Sequence, residues 1–235
     1  LVNRCLLIGL RMTVRRISTS EYRISIFVQI TQQNLHASPR PGKDHRLRSR
    51  FEQIACQADG FVGGAFAQAE RRGVNVRILT NSLRSNNHLA AHAAYRNHVE
   101  RLLRNGIDLH EVRALAKDRQ HYMPAPTEGK RLGLHAKLLV VDDHSVYIGS
   151  CNLDPRSLRI NTEVGLVIES REFNRAVRRL LEVDFDPRNA WRLRLVGDRV
   201  VWVGDDQTSE VMPSDSTMLR LEDWFLARLP AEGEL

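Results

Sequence analysis

The chain has 235 residues, 42% hydrophobic and 27% charged, with a formal net charge of +7. This length supports one large domain or two small ones, and no run approaches the roughly 18 apolar residues of a membrane-spanning helix. The basicity is local, ten Lys and Arg against four Asp and Glu in residues 1–62 but 25 against 24 in the rest, so bulk charge gives the larger part no nucleic-acid signature.

Residues 1–62 are the least readable. "CLLIGL" lies between arginines and is too short for a signal-peptide core, while "YRISIFVQI" reads as a strand. The following "TQQNLHASPRPGKDHRLRSR" is polar, basic and Pro-containing, and reads as loop or disorder. From Phe61 the pattern sharpens. "GGAFAQAERRG" predicts a short helix ended by Gly73, and "VNVRILTN" a buried strand. "HLAAHAAYRNHVERLLRNG" predicts a helix stopped by Gly106, and "IDLHEVR" a strand with Ile107, Leu109 and Glu111 on one face.

A Pro, Gly and Lys-rich loop leads to "HAKLLVVDD" and "SVYIGSCN", two predicted strands joined by a tight turn at Asp143-His144. "EVGLVIES" predicts another strand, after which Ser170 caps a helix presenting Phe173, Val177, Leu180 and Leu181 on one face. "WRLRLVGDRVVWVGD" reads as a hairpin turning at Gly197-Asp198, and "TMLRLEDWFLARLP" as an amphipathic helix. That last helix groups Met218, Leu221, Trp224 and Phe225, an apolar face expected to pack on the domain, with a membrane interface as the alternative. Alternating strands and helices give an α/β layered domain over residues 63–235.

The chemistry concentrates in residues 134–163. His135, Lys137 and Asp142 form a His-x-Lys-x4-Asp pattern, followed after six intervening residues by Gly149, Ser150 and Asn152 as Gly-Ser-x-Asn. On a strand, positions 135 and 137 share a face, and the turn returns the hydroxyl and carboxamide alongside them. Such a cluster suits a phosphodiester. Imidazole can attack phosphorus or protonate the leaving oxygen, while ammonium and carboxamide neutralise the non-bridging oxygens. No metal or cofactor is required by that arrangement. Six fixed positions at about 5% each arise by chance in roughly a few chains per million.

The motif resembles that of the phospholipase D superfamily. "RRGVNVRILTNSLRSNN", "AHAAYRNHVERLLRNGIDLHEVR", "NLDPRSLRINTEVGLVIES" and "LPAEGEL" extend the similarity to the C-terminal half of bacterial two-motif cardiolipin synthases. The resemblance implies a mixed central sheet with helices on both faces. It implies His135 as a catalytic histidine in the acid/base role, Lys137 and Asn152 as phosphate ligands, and Ser150 as their support. Asp142 becomes a hydrogen-bonding residue, Glu163 an acid orienting a catalytic histidine, and His92 a substrate-side residue. The implied reaction is phosphatidyl transfer through a phosphohistidine, on an anionic phospholipid, in peripheral contact with the inner face of the membrane; a cytoplasmic setting is expected from the cysteines, which form no disulfide pattern.

That chemistry needs two histidine motifs, and one is present. Three readings stay open: a homodimer sharing one site, a partner supplying the N-terminal half, or a truncated, inactive remnant with residues 1–62 out of frame. A single-motif dimer would also suit a nuclease, the one reading that makes nucleic acid a partner. His88 and His92 have zinc-helix spacing but lack the glutamate of the peptidase pattern, so surface histidines are expected. Cys5, Cys56 and Cys151 show no metal or disulfide spacing, with Cys151 expected as a small buried residue. Lys130 and Arg131 read equally as headgroup ligands or as a solvated loop.

Overall fold

Side-chain alternation along one strand sets the layers. In β3 (Asn75–Asn81) Val76 and Ile78 enter one apolar cluster, whereas Leu79 enters another on the opposite face of the sheet. The computed structural model describes residues 6–7, 23–27, 74–86, 89–118, 130–152 and 164–229. Before β3 come β1 (Leu6–Leu7) and β2 (Arg23–Phe27), and after it α1 (Leu89–Arg104) and β4 (Asp108–Val112). Next are β5 (Leu138–Val141), β6 (Ser145–Gly149), β7 (Val164–Glu169) and α2 (Arg171–Asp184). The hairpin β8 (Ala190–Val196) and β9 (Arg199–Val203), the short β10 (Thr208–Ser209) and α3 (Thr217–Leu226) complete the described elements.

The described strands form one mixed sheet in the order β1-β7-β6-β5-β2-β3-β4-β8-β9-β10. β2, β3 and β4 run parallel, as do β1 and β7, and the remaining neighbours are antiparallel. Residues 23–27 therefore lie in the middle of the sheet, between β3 and β5. α1 covers one face through Ala91, Tyr95, Val99 and Leu102, against Val76, Ile78, Leu109, Leu193 and Trp202. α2 covers the other through Val177 and Leu181, against Leu79, Val112, Val140 and Val146. Helices on both faces of a mixed sheet are the expected architecture.

Local signals account for the ends. α1 closes where Gly106 turns to φ 88°, with Gly106 N–H donating to Leu103 O and Ile107 N–H to Leu102 O. α2 starts at Ser170, whose hydroxyl accepts from Phe173 N–H at 3.2 Å. Gly197, at φ 60°, turns the β8–β9 hairpin.

Three expectations need correction. Leu180 lies outside the buried arc of α2, which centres on Asn174, Val177 and Leu181; at 100° per residue Leu180 falls off its edge. His135 and Lys137 precede β5 in irregular backbone, because the described ladder between β2 and β5 begins at the Phe27–Leu138 pair. The largest departure is α3. Met218, Leu221, Trp224 and Phe225 are all exposed, and Asp223 is the residue that α3 buries. The helix docks by a polar contact, with Asp223 Oδ1 2.7 Å from His92 Nδ1 and Oδ2 2.8 Å from Arg96.

Glu111 is fully buried on the same face as Leu109 and accepts from Tyr95 Oη at 3.0 Å and Trp202 Nε1 at 2.9 Å. Burial pushes its carboxyl above the ordinary value of 4.5, outweighing those bonds and the lowering influence of His92. The native chain then holds this proton at pH values where the unfolded chain has released it. Stability is therefore lost as pH rises from 4.5 through the native value. Glu111→Gln keeps an acceptor for Trp202 and a donor for the Tyr95 oxygen without the charge. Melting scans should show it several degrees more stable than the parent at pH 8, and within about 2 °C of it at pH 4.

Candidate active site

The β5–β6 hairpin organises the polar cluster. Its register runs from Val141 opposite Ser145 to Leu138 opposite Ile148, and Gly149 N–H continues it by donating to Lys137 O at 3.1 Å. The turn at 142–144 thus sits at one end, and His135, Lys137, Ser150 and Asn152 at the other. Asp142 lies about 16 Å along the strand from Lys137, at roughly 3.3 Å per residue. Asp142 adopts φ 51°, its carbonyl accepting from the Arg178 guanidinium, while Asn174 Nδ2 donates to Ser145 O at 2.9 Å. Asp142 therefore belongs to the contact between the turn and α2.

At the other end Lys137 Nζ lies 3.1 Å from His135 Nε2. An ammonium can only donate, so this contact makes Nε2 the acceptor and puts the ring proton on Nδ1. His135 is exposed and Lys137 half-buried. Ser150 is fixed against the start of β7, its N–H donating to Val164 O at 2.8 Å and its hydroxyl accepting from Val164 N–H at 3.0 Å. Asn152 is buried with its carboxamide oxygen unpartnered, beside the buried Cys151. Gly149 opposes Gly165 beneath the Tyr147 ring. A Cβ at Gly149 would stand 2.3 Å from Tyr147 Oη and 2.6 Å from Val164 O, which explains glycine at the head of Gly-Ser-x-Asn.

A small, largely apolar cavity of about 100 Å³ opens behind His135, lined among others by Leu79, Val112, Leu134, Asp184 and Asn189. His92 corrects a further expectation: in place of a surface histidine it is buried, 1% exposed between α1 and α3, where Asp223 holds its ring. Glu163 and His88 fall outside the described residues. Arg131 pairs with Asp215 at 2.5 Å, and Lys130 is exposed.

The sequence reading passed over the residues that hold the segment before His135. Arg84 and Arg131 both pair with Asp215, each at 2.5 Å. Leu132 N–H donates to Ala114 O at 3.1 Å. Asn81, at the end of β3, accepts from Leu134 N–H and donates to Leu134 O, both at 2.8 Å. The available signal was an asparagine ending a buried strand, where a carboxamide needs partners.

The family model described as "Cardiolipin synthase, PLD-like domain" matches residues 54–185. Cardiolipin synthase C of Escherichia coli (strain K12) is 35% identical over 169 residues, 69% of this chain and 35% of that protein. An uncharacterized protein of Helicobacter pylori (strain ATCC 700392 / 26695) is 31% identical over 188 residues, 76% of this chain and 36% of its own. Among solved structures, Nuc from Salmonella typhimurium, a phospholipase D family member, aligns at 17% identity and a TM-score of 0.41, covering 68% of this chain and 75% of that one. The chain spans about a third of the length of these curated relatives.

Proposed function

The chain belongs to the phospholipase D superfamily, by its cardiolipin synthase-type PLD-like domain, and from that premise we propose that it carries half of a phosphatidyl-transfer site acting on phosphatidylglycerol-type lipids. The observation that carries this reading is the 3.1 Å contact of Lys137 Nζ with His135 Nε2, at the hairpin end that also bears Ser150 and Asn152. It unites a proton-transfer group and a cation at an exposed position, the minimum for handling a phosphodiester.

In the proposed reaction a histidine of a second motif, from another copy or a partner half, attacks phosphorus of one lipid. The bond from phosphorus to the glycerol headgroup oxygen breaks, and His135, which takes up a proton from solvent on Nε2 once Lys137 turns from that nitrogen to the phosphate, gives the proton to the departing glycerol. The acceptor lipid's hydroxyl then attacks the phosphohistidine, losing its proton to the same nitrogen as the phosphorus–nitrogen bond breaks. Lys137 and the Asn152 carboxamide hold the non-bridging oxygens. The products are one two-phosphate lipid and one glycerol, with His135 returned to its protonated state.

Incubation of the chain with phosphatidylglycerol vesicles, and separately with single-stranded DNA, tests the substrate class. Mass spectrometry should find the two-phosphate lipid and free glycerol in equal amounts, with the DNA intact. Cleaved DNA beside untouched lipid would replace this reading with a nuclease; turnover of neither would remove the activity from the isolated chain.

A further inference from the structure

We propose that Asn81 is a positioning residue for His135, acting through a two-point clamp on the backbone of the residue before it. The inference rests on the reading of His135 as the working imidazole. Four consecutive residues ahead of His135 are each held from outside their own segment. Arg131 pairs with Asp215 at 2.5 Å, and Leu132 N–H donates to Ala114 O at 3.1 Å. Gly133 packs so closely that a Cβ there would stand 3.2 Å from Ser85 O. Leu134 gives both its backbone groups to Asn81. The following residue, His135, is exposed.

Asn81 suits this task for three reasons. It is 3% exposed, at the end of a strand whose Val76, Ile78 and Leu79 are anchored in the two cores, so it reports the position of the rigid sheet. Its carboxamide supplies one donor and one acceptor in a plane, matching the N–H and C=O of a single extended residue. Its oxygen also accepts from Ser85 Oγ at 3.0 Å, which fixes the orientation of the amide. The clamp takes the place of ladder hydrogen bonds at Leu134, ahead of the point where Gly149 N–H donates to Lys137 O. A loop segment gains strand-like precision without becoming a strand.

Three measurements on the full chain test this, beginning with Asn81→Ala. Leu134 N–H should exchange with solvent at least about 100-fold faster, while α1 amides keep their protection. The ring cross-peaks of His135 should shift in the same spectra. Where turnover is measurable, kcat should fall about 10²-fold with KM held within about threefold, because reacting groups are misplaced and binding groups are kept. Asn81→Asp retains the acceptor for Leu134 N–H. Its loss, read on kcat or on the His135 ring signals, should be smaller and should reverse as pH falls and a protonated carboxyl supplies the donor for Leu134 O. Unchanged Leu134 exchange, or unmoved His135 signals in a folded Asn81→Ala chain, overturns the clamp. Full kcat with Leu134 released overturns its role in positioning. Should Asn81→Ala not fold, a pH-independent Asn81→Asp does the same. A parent chain without turnover removes the activity from the isolated chain and leaves the clamp to be decided by the amide and ring signals.

Discussion

His135→Ala should lower turnover of phosphatidylglycerol and of bis(p-nitrophenyl) phosphate by at least about 10³-fold, with the melting temperature held within about 2 °C. Positioned general acid–base groups contribute roughly 10²–10⁴-fold, and in the proposed cycle His135 acts twice, as acid and then as base. The second half of the prediction follows from placement. His135 is exposed and belongs to neither apolar cluster, so removing its ring takes nothing from the cores. Lys137→Ala should lose about 10²–10³-fold, the usual effect of deleting a group that stabilises transition-state charge. The two losses should not add, since Lys137 also touches the nitrogen that moves the proton. Because a second histidine is required, specific activity should climb with chain concentration if two copies share a site. A His135→Ala chain retaining full turnover would move the chemistry elsewhere and end this reading of the hairpin.

How much of this was legible depends on which signal each part uses. Apolar periodicity announced α1 and α2, and glycine and serine marked their ends, because burial and capping act over a turn or two of chain. Short apolar runs announced β3, β5, β6 and β7, and a period-two run announced β4. His135, Lys137, Ser150 and Asn152 were legible as neighbours because they flank one short hairpin, whose register sets Gly149 against Lys137. Asp142 was legible as a residue but not as a place: a fixed spacing from His135 hides that the strand puts it at the far end. Asn81 was legible only as a strand-ending carboxamide in need of partners, and Asp215 not at all. Their partners lie 53 residues away in one case and 84 and 131 in the other, and no local pattern encodes such pairings. α3 misled because its apolar spacing is real while its inward residue is an acid whose partners are on another helix.

Asp223→Ala should free α3 from the domain. Asp223 is fully buried, and its two oxygens accept from His92 Nδ1 and from the Arg96 guanidinium. Removing the acceptor leaves a cation and a buried imidazole N–H without their partner. Breaking one side of a buried pair typically costs about 3–5 kcal/mol. Half-buried Leu219 and Leu226 offset only part of that. Met218, Leu221 and Phe225 face outward, and Asn97 Nδ2 donating to Ala227 O at 2.9 Å is an exposed contact. The loss should therefore appear as local detachment and not as global unfolding: amide protection in α3 should drop about 10²–10³-fold while β3 and β4 keep theirs. Asp223→Asn, which still accepts from one partner, should lose less. The decisive variant is the double His92→Leu, Asp223→Leu. It replaces the buried pair by apolar side chains and lets the half-exposed Arg96 turn to solvent, so α3 should regain most of its protection. If α3 exchanges no faster in Asp223→Ala than in the parent, the helix is held by something other than this contact. If the double variant is no better than the single one, the missing stability comes from hydrogen bonding lost with the acid, and not from unpaired polar groups left behind.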